Sequence, residues 1–101
     1  MVLHLTLRHL TLDDASRGLI EEKLAKIEKH LHHTAPVSVV LWCERHLHFA
    51  EIGLHDKGVD YHSKAEHADV LTAVELAVEK LDKQICRHKE KDVTSRHLTE
   101  G

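Results

Sequence analysis

The chain has few of the residues that form disulfide bonds, interrupt helices and strands, or stack aromatic rings. Its 101 residues include two cysteines, one proline, four glycines and one each of tryptophan, tyrosine and phenylalanine. Cys43 and Cys86 lie far apart and form no CxxC pattern, so we expect a reducing compartment rather than a disulfide framework. No apolar run approaches the ~20 residues of a membrane span, and no basic segment leads into a signal sequence. These absences predict a cytoplasmic protein with no membrane partner.

An excess of positive charge is also absent. Seventeen acidic residues outnumber fourteen Lys and Arg, which gives a formal net charge of −3 with histidine neutral. This balance argues against a general electrostatic attraction of the whole molecule to nucleic acid. The chain also has 12 histidines, and imidazoles with an ordinary pKa of ~6.5 make the sign of the charge sensitive to pH. The local distribution of charge therefore matters more than the sum.

Apolar residues alternate along four segments, which predicts half-buried strands over residues 2–9, 37–44, 48–55 and 59–66. Two further segments place aliphatic residues at helical spacing, which predicts helices over about residues 14–32 and 69–91. Asp13 or Asp14 can cap the first helix and Asp69 the second, since aspartate accepts hydrogen bonds from the first turn. Pro36 follows the first helix, and proline cannot continue it.

The resulting order, β-α-β-β-β-α, predicts an α+β protein. Two strands joined through a helix should be parallel, and the strands joined by hairpins should be antiparallel. Because each strand offers one apolar face, both helices should pack on one face of a four-stranded mixed sheet. We expect one domain over residues 1–92 and a flexible tail over residues 93–101.

Patterns for catalysis and metal binding are weak. The sequence has no Ser/His/Asp order, glycine-rich phosphate loop or HExxH motif. His30, His32 and His33 cluster near a helix end, and His46 and His48 share a hairpin, but neither group supplies the convergent ligands that zinc requires. We therefore expect no enzyme, no cofactor, no metal site and no small-molecule substrate. A protein-interaction or metal-responsive module that uses the histidine-rich surface is the alternative.

Aromatic recognition of nucleic acid is also poorly supported, because sheets that stack bases need several exposed aromatic residues on adjacent strands. Trp42 and Phe49 fall on neighbouring strands with their side chains on the solvated face. We expect them to form a cross-strand pair, with an exposed apolar patch as the second interpretation.

The last helix has the strongest functional pattern. Its apolar residues share one stripe: Val74, Val78, Leu81 and Ile85. Its cations share a nearly opposite stripe, which we call the basic ridge: Lys80, Lys83, Arg87 and Lys91. Lys23 and Lys26 lie on one flank of the first helix and would extend the basic ridge if the helices pack side by side. Such a surface suits the neutralisation of phosphates on a folded RNA without readout of its bases.

Four stretches occur together and in order: EEKLAKIEKHLHH, APVSVVLWCE, VDYHSKAEHAD and VEKLDKQICRHKEK. With them, residues 3–91 resemble the ribosome hibernation promoting factor family in its short form. The resemblance implies the same β-α-β-β-β-α fold. It also implies a protein that binds the small subunit and its 16S rRNA between head and body, and overlaps the messenger and transfer RNA sites. Such proteins silence translation in stationary phase or under stress. We expect the protein to be a monomer off the ribosome.

The resemblance further implies a set of rRNA-binding positions on the two helices: Lys23, Lys26, Lys29, Lys80, Lys83, Arg87, Lys89 and Lys91. Helical spacing alone assigns the four cations of the basic ridge, so the two lines of reasoning agree there. Together they predict a non-enzymatic factor that plugs the decoding channel through charge-assisted contacts to rRNA phosphates. If the histidines contribute, affinity for the subunit should rise as the pH falls from ~7.5 to ~6.

Overall fold

The computed structural model describes residues 2–31 and 36–100, with side chains described through residue 88. Its elements are β1 (Val2–Arg8), α1 (Asp14–Glu28), β2 (Pro36–Glu44), β3 (Leu47–Asp56), β4 (Val59–His67) and α2 (Val70–Glu100). The strands form one sheet in the order β1-β2-β3-β4. The β1–β2 pair is parallel, and the other two pairs are antiparallel. The predicted α+β fold is confirmed.

The core lies between the two helices and one face of the sheet. Ile20, Leu24 and Ile27 of α1 are fully buried, as are Leu81 and Ile85 of α2. Along β2, β3 and β4, buried side chains alternate with more exposed ones, as the period of two in the sequence requires. The face of the sheet that points away from the helices is consequently solvated.

Tight two-residue turns join the antiparallel strands. Lys57 and Gly58 connect β3 to β4 with φ angles of 49° and 75°. Arg45 and His46 connect β2 to β3 with φ angles of 47° and 70°. Positive φ at both central residues is typical of the turns that match the twist of a hairpin, although non-glycine residues adopt it less readily. These turns fix the register that brings Trp42 opposite Phe49.

Aspartate caps both helices. The Ser16 N–H donates to Asp13 Oδ1 at 2.7 Å. The Thr72 N–H and hydroxyl donate to Asp69 Oδ2 at 2.9 and 2.8 Å. Hydrogen bonds from Ser16 and from Thr72 favour the ionised carboxylates, so the pKa of Asp13 and that of Asp69 are both lowered. The predicted cap of the second helix is therefore confirmed, and of the two candidates for the first helix it is Asp13 that forms the cap.

The helix ends differ from the sequence-based bounds. α1 ends at Glu28 instead of continuing to about His32, which lies outside the described residues. Its last turn tightens, with His30 N–H donating to Ile27 O at 2.9 Å. α2 runs to Glu100, beyond the predicted end near Lys91. Residues 92–100 have no apolar period, but they also contain neither proline nor glycine, so nothing in them breaks a helix. The flexibility of residues 93–101 stays a prediction.

Candidate RNA-binding surface

The cations of α2 point away from the core. Lys80, Lys83 and Arg87 are all exposed, whereas Val74 and Val78 on the other side of the helix are buried. Among the side chains that are described, no carboxylate forms an ion pair with any of these three cations. The side chains of Lys89 and Lys91 lie outside the described part of the chain. The described portion of the basic ridge is thus a surface of uncompensated positive charge.

Two side chains of α2 also complete the edge of the sheet. Gln84 Nε2 donates to His62 O at 2.7 Å, and the His62 N–H donates to Gln84 Oε1 at 3.3 Å. Lys80 Nζ donates to Lys64 O at 3.0 Å. Since β4 is an edge strand, these bonds occupy backbone groups that would otherwise be available to another strand. They also hold the start of the basic ridge against the rim of the sheet.

The cations on the flank of α1 are placed differently. The helices do pack side by side, but Lys23 and Lys26 face an acidic side of α2. Lys23 Nζ lies 3.3 Å from Glu75 Oε2, and the Lys23 side chain is only 24% exposed. A groove between the helices is lined by Lys23, Lys26, Glu75, Val78, Glu79 and Asp82. The expectation that this flank extends the basic ridge is therefore wrong, because a row of carboxylates separates the two sets of cations.

Lys29 lies at the C-cap of α1 and is exposed. It follows the last helical residue, and its backbone keeps helical angles, with φ of −61° and ψ of −25°. The eight cations predicted from the sequence are consequently divided. The described ones form an open ridge on α2, two lysines that line the groove, of which Lys23 is ion-paired with Glu75, and a single lysine beyond the end of α1.

The solvated face of the sheet has one aromatic feature. The rings of Trp42 and Phe49 are stacked, with centroids 5.2 Å apart and planes 5° from parallel, which confirms the predicted cross-strand pair. Lys64 Nζ lies over both rings, 5.3 Å from the Trp42 centroid and 5.7 Å from that of Phe49. This cation–π contact could have been anticipated from the strand register, which places Lys64 opposite Glu51 and so diagonal to Phe49 on the same face.

Metal-ligating side chains come together at one place within the described residues. The ligand atoms of His30, Asp82 and Cys86 all lie within 4.8 Å of one another. Sequence reasoning considered histidines that are close along the chain and missed this group, because two of its members come from the other helix. Across the same described residues, no helix has both the length and the apolar character to cross a membrane.

The protein belongs to the structural class of α+β proteins in which two helices cover one face of a four-stranded mixed sheet. Here one of the helices carries an exposed row of cations. The N-terminal domain of Protein Y from Thermus thermophilus shares this fold with a TM-score of 0.80 and 30% identity, over 87% of this chain and 99% of that one. A ribosomal subunit interface protein from Coxiella burnetii matches with a TM-score of 0.79 at 20% identity, over 89% of this chain and 99% of that one. The second likeness concerns the fold alone.

Sequence comparison gives the family. The family model described as Sigma 54 modulation protein / S30EA ribosomal protein matches residues 3–93, and this chain belongs to that family. A ribosome hibernation promoting factor from Azotobacter vinelandii is 33% identical over 93 residues, which are 92% of this chain and 87% of the relative. Its counterpart from Salmonella typhimurium is 33% identical over 91 residues, 90% of this chain and 96% of the relative. The resemblance found in the sequence is confirmed.

Proposed function

We propose that this protein binds the small (30S) ribosomal subunit and blocks its mRNA/tRNA channel under stress or in stationary phase. Membership of the family, and relatives that are named ribosome hibernation promoting factors, support an action on the ribosome. The observation that carries the finer proposal is the exposed basic ridge. Lys80, Lys83 and Arg87 have no acidic partner among the described side chains, so their charge is available to rRNA phosphates.

The mechanism is steric occlusion held in place by electrostatics. Cations that contact phosphates fix the position of a protein on a folded RNA without reading its sequence. The proposed contact residues are Lys23, Lys26, Lys29, Lys80, Lys83, Arg87, Lys89 and Lys91. Within this set, Lys23 should contribute least, because its ion pair with Glu75 must be broken or shared before it can bind a phosphate.

The same proposal describes a protein that works without catalysis or a cofactor. It would act in the cytoplasm, where ribosomes are, with the subunit and its 16S rRNA as the partner, and it would be a monomer off the ribosome. The hydrogen bonds of Gln84 and Lys80 to the β4 edge support the monomer, because they hinder strand-to-strand association there.

Charge reversal tests the proposal. Lys80→Glu, Lys83→Glu and Arg87→Glu together should abolish co-sedimentation with purified small subunits. The three side chains are exposed, so the fold should survive, which circular dichroism would verify. If the folded triple variant sediments with subunits as the wild type does, the basic ridge is not the binding surface and the proposal fails.

A matched control separates the ridge from net charge. It reverses three exposed cations that lie outside the proposed surface: Arg17, Arg45 and Lys57. This variant undergoes the same change in net charge and should retain co-sedimentation. Equal loss in both variants would mean that overall charge governs binding, which favours an interaction that the ridge does not direct.

A further inference from the structure

The C-terminal end of α1 meets α2 at three side chains of three different ligand types. His30 Nε2 lies 3.1 Å from Asp82 Oδ1. The sulfur of Cys86 completes a group whose ligand atoms are all within 4.8 Å of one another. All three residues are half-buried, so the group lies at the interface of the helices yet can be reached from solvent.

The local backbone explains why these residues meet. Asp82 and Cys86 are four residues apart on α2 and therefore project from the same side of that helix. His30 follows the end of α1, where the tight turn through the His30 N–H and Ile27 O redirects the chain toward α2. Ile27 and Ile85, the neighbours of this group on each helix, are fully buried. The ligands thus lie directly beside buried residues of the core.

We propose that His30, Asp82 and Cys86 form a binding site for Zn²⁺ that joins α1 to α2. Imidazole nitrogen, carboxylate oxygen and thiolate sulfur are the zinc ligands that proteins use. With bond lengths of about 2.0–2.3 Å, tetrahedral ligands are separated by roughly 3.3–3.8 Å. The His30–Asp82 distance of 3.1 Å lies just below that range, and no two of the ligand atoms are more than 4.8 Å apart, so small movements of the side chains would bring all three to coordinating distance. Three protein ligands leave the fourth position to water or another ligand.

Apart from the ligand Asp82, the charges beside this group balance. Asp82 also lines the groove between the helices, together with the carboxylates of Glu75 and Glu79 and the ammonium groups of Lys23 and Lys26. With Asp82 counted as a ligand, two carboxylates face two ammonium groups there, so the affinity for a divalent ion must come from the three ligand bonds. Because those bonds join the segment just after α1 to α2, an ion that binds the folded chain should raise its stability.

Binding of Co²⁺ as a spectroscopic probe tests the site on the intact chain, kept reduced with a non-thiol reductant. Twelve histidines will bind metal weakly anywhere on the surface, so the readout must report the thiolate. The wild type should develop a thiolate-to-cobalt charge-transfer band that saturates at one equivalent and disappears when Zn²⁺ is added. Cys86→Ser should lose the band, and Cys43→Ser, the matched control, should keep it.

Two further measurements test the site: the affinity for Zn²⁺ and the protection of Cys86 from alkylation. In equilibrium dialysis with Zn²⁺, His30→Ala and Asp82→Asn should each weaken binding at least ~10-fold, since each removes a direct ligand. In the unaltered protein, Zn²⁺ should slow alkylation of Cys86 and leave that of Cys43 unchanged, as read by mass spectrometry, so the test does not depend on any variant folding. Absence of the cobalt band, its survival in Cys86→Ser, or equal alkylation of Cys86 with and without Zn²⁺ would overturn the proposal.

Discussion

Removing Lys83 should flatten the salt dependence of small-subunit binding, whereas removing Lys23 should leave it nearly unchanged. Lys83 is exposed, and no described carboxylate pairs with it, so its contact with a phosphate would release a counterion in full. Lys23 Nζ already lies 3.3 Å from Glu75 Oε2. Any phosphate contact that Lys23 makes is offset by the loss of this internal ion pair.

The expected magnitude follows from the three ridge cations whose side chains are described. If Lys80, Lys83 and Arg87 each contact one phosphate of duplex rRNA, they contribute about −2.7, three times ~0.9, to the slope of log affinity against log salt. Over a threefold increase in salt, this contribution weakens binding ~20-fold. Lys83→Ala lowers the contribution to about −1.8, a ~7-fold loss over the same interval, while Lys23→Ala leaves it at ~20-fold.

Affinities would be measured by fluorescence anisotropy of labelled protein titrated with purified small subunits, across a salt series at constant magnesium concentration and pH. Lys57→Ala, which removes an exposed lysine in the β3–β4 turn, is the control and should keep the wild-type slope. The reasoning is refuted if Lys83→Ala keeps that slope, or if Lys23→Ala lowers it as much as Lys83→Ala does.

Three further outcomes follow from the described contacts. Asp69→Ala should destabilise the protein by ~1 kcal/mol in urea unfolding at neutral pH. Because the pKa of Asp69 is lowered in the folded state, the stabilisation by this cap is present above the unfolded pKa and is lost as the pH falls through the folded pKa. A loss of stability that is equal at all pH values would contradict this prediction. Gln84→Ala removes both hydrogen bonds to the His62 backbone and should cost ~1 kcal/mol and increase self-association by light scattering; unchanged scattering would show that the β4 edge needs no such cover. Subunit affinity should rise from pH ~7.5 to ~6 as histidines gain charge, and a flat profile at constant ionic strength would exclude their contribution.

The fold was predictable because burial imposes a period on the sequence. Alternation along β2 to β4 and helical spacing in α1 and α2 indicate which side of each strand and helix is apolar. Since each strand has only one apolar side, few arrangements of the helices on the sheet can bury all the apolar residues. The caps were predictable for a local reason, since Asp13 and Asp69 bond to groups three residues away. The end of α2 was not, because the absence of an apolar period does not by itself end a helix.

The candidate surface was predictable only within one element. Spacing along α2 placed Lys80, Lys83 and Arg87 on one stripe, and that stripe is exposed. Spacing cannot state which flank of α2 faces α1, so the pairing of Lys23 with Glu75, 52 residues apart in the chain, had no local signal. The group proposed to bind zinc had no local signal for the same reason, since His30 follows α1 and the other two ligands lie on α2, far away in the sequence.

An uneven distribution of charge over the surface explains how a net acidic chain can present a positive surface. Several carboxylates are engaged by neighbouring cations or imidazoles: Glu75 with Lys23, Asp82 with His30, Asp60 with His55 and Glu51 with His62. The ridge cations have no such partners among the described side chains, so the formal charge of −3 understates the positive potential on that side.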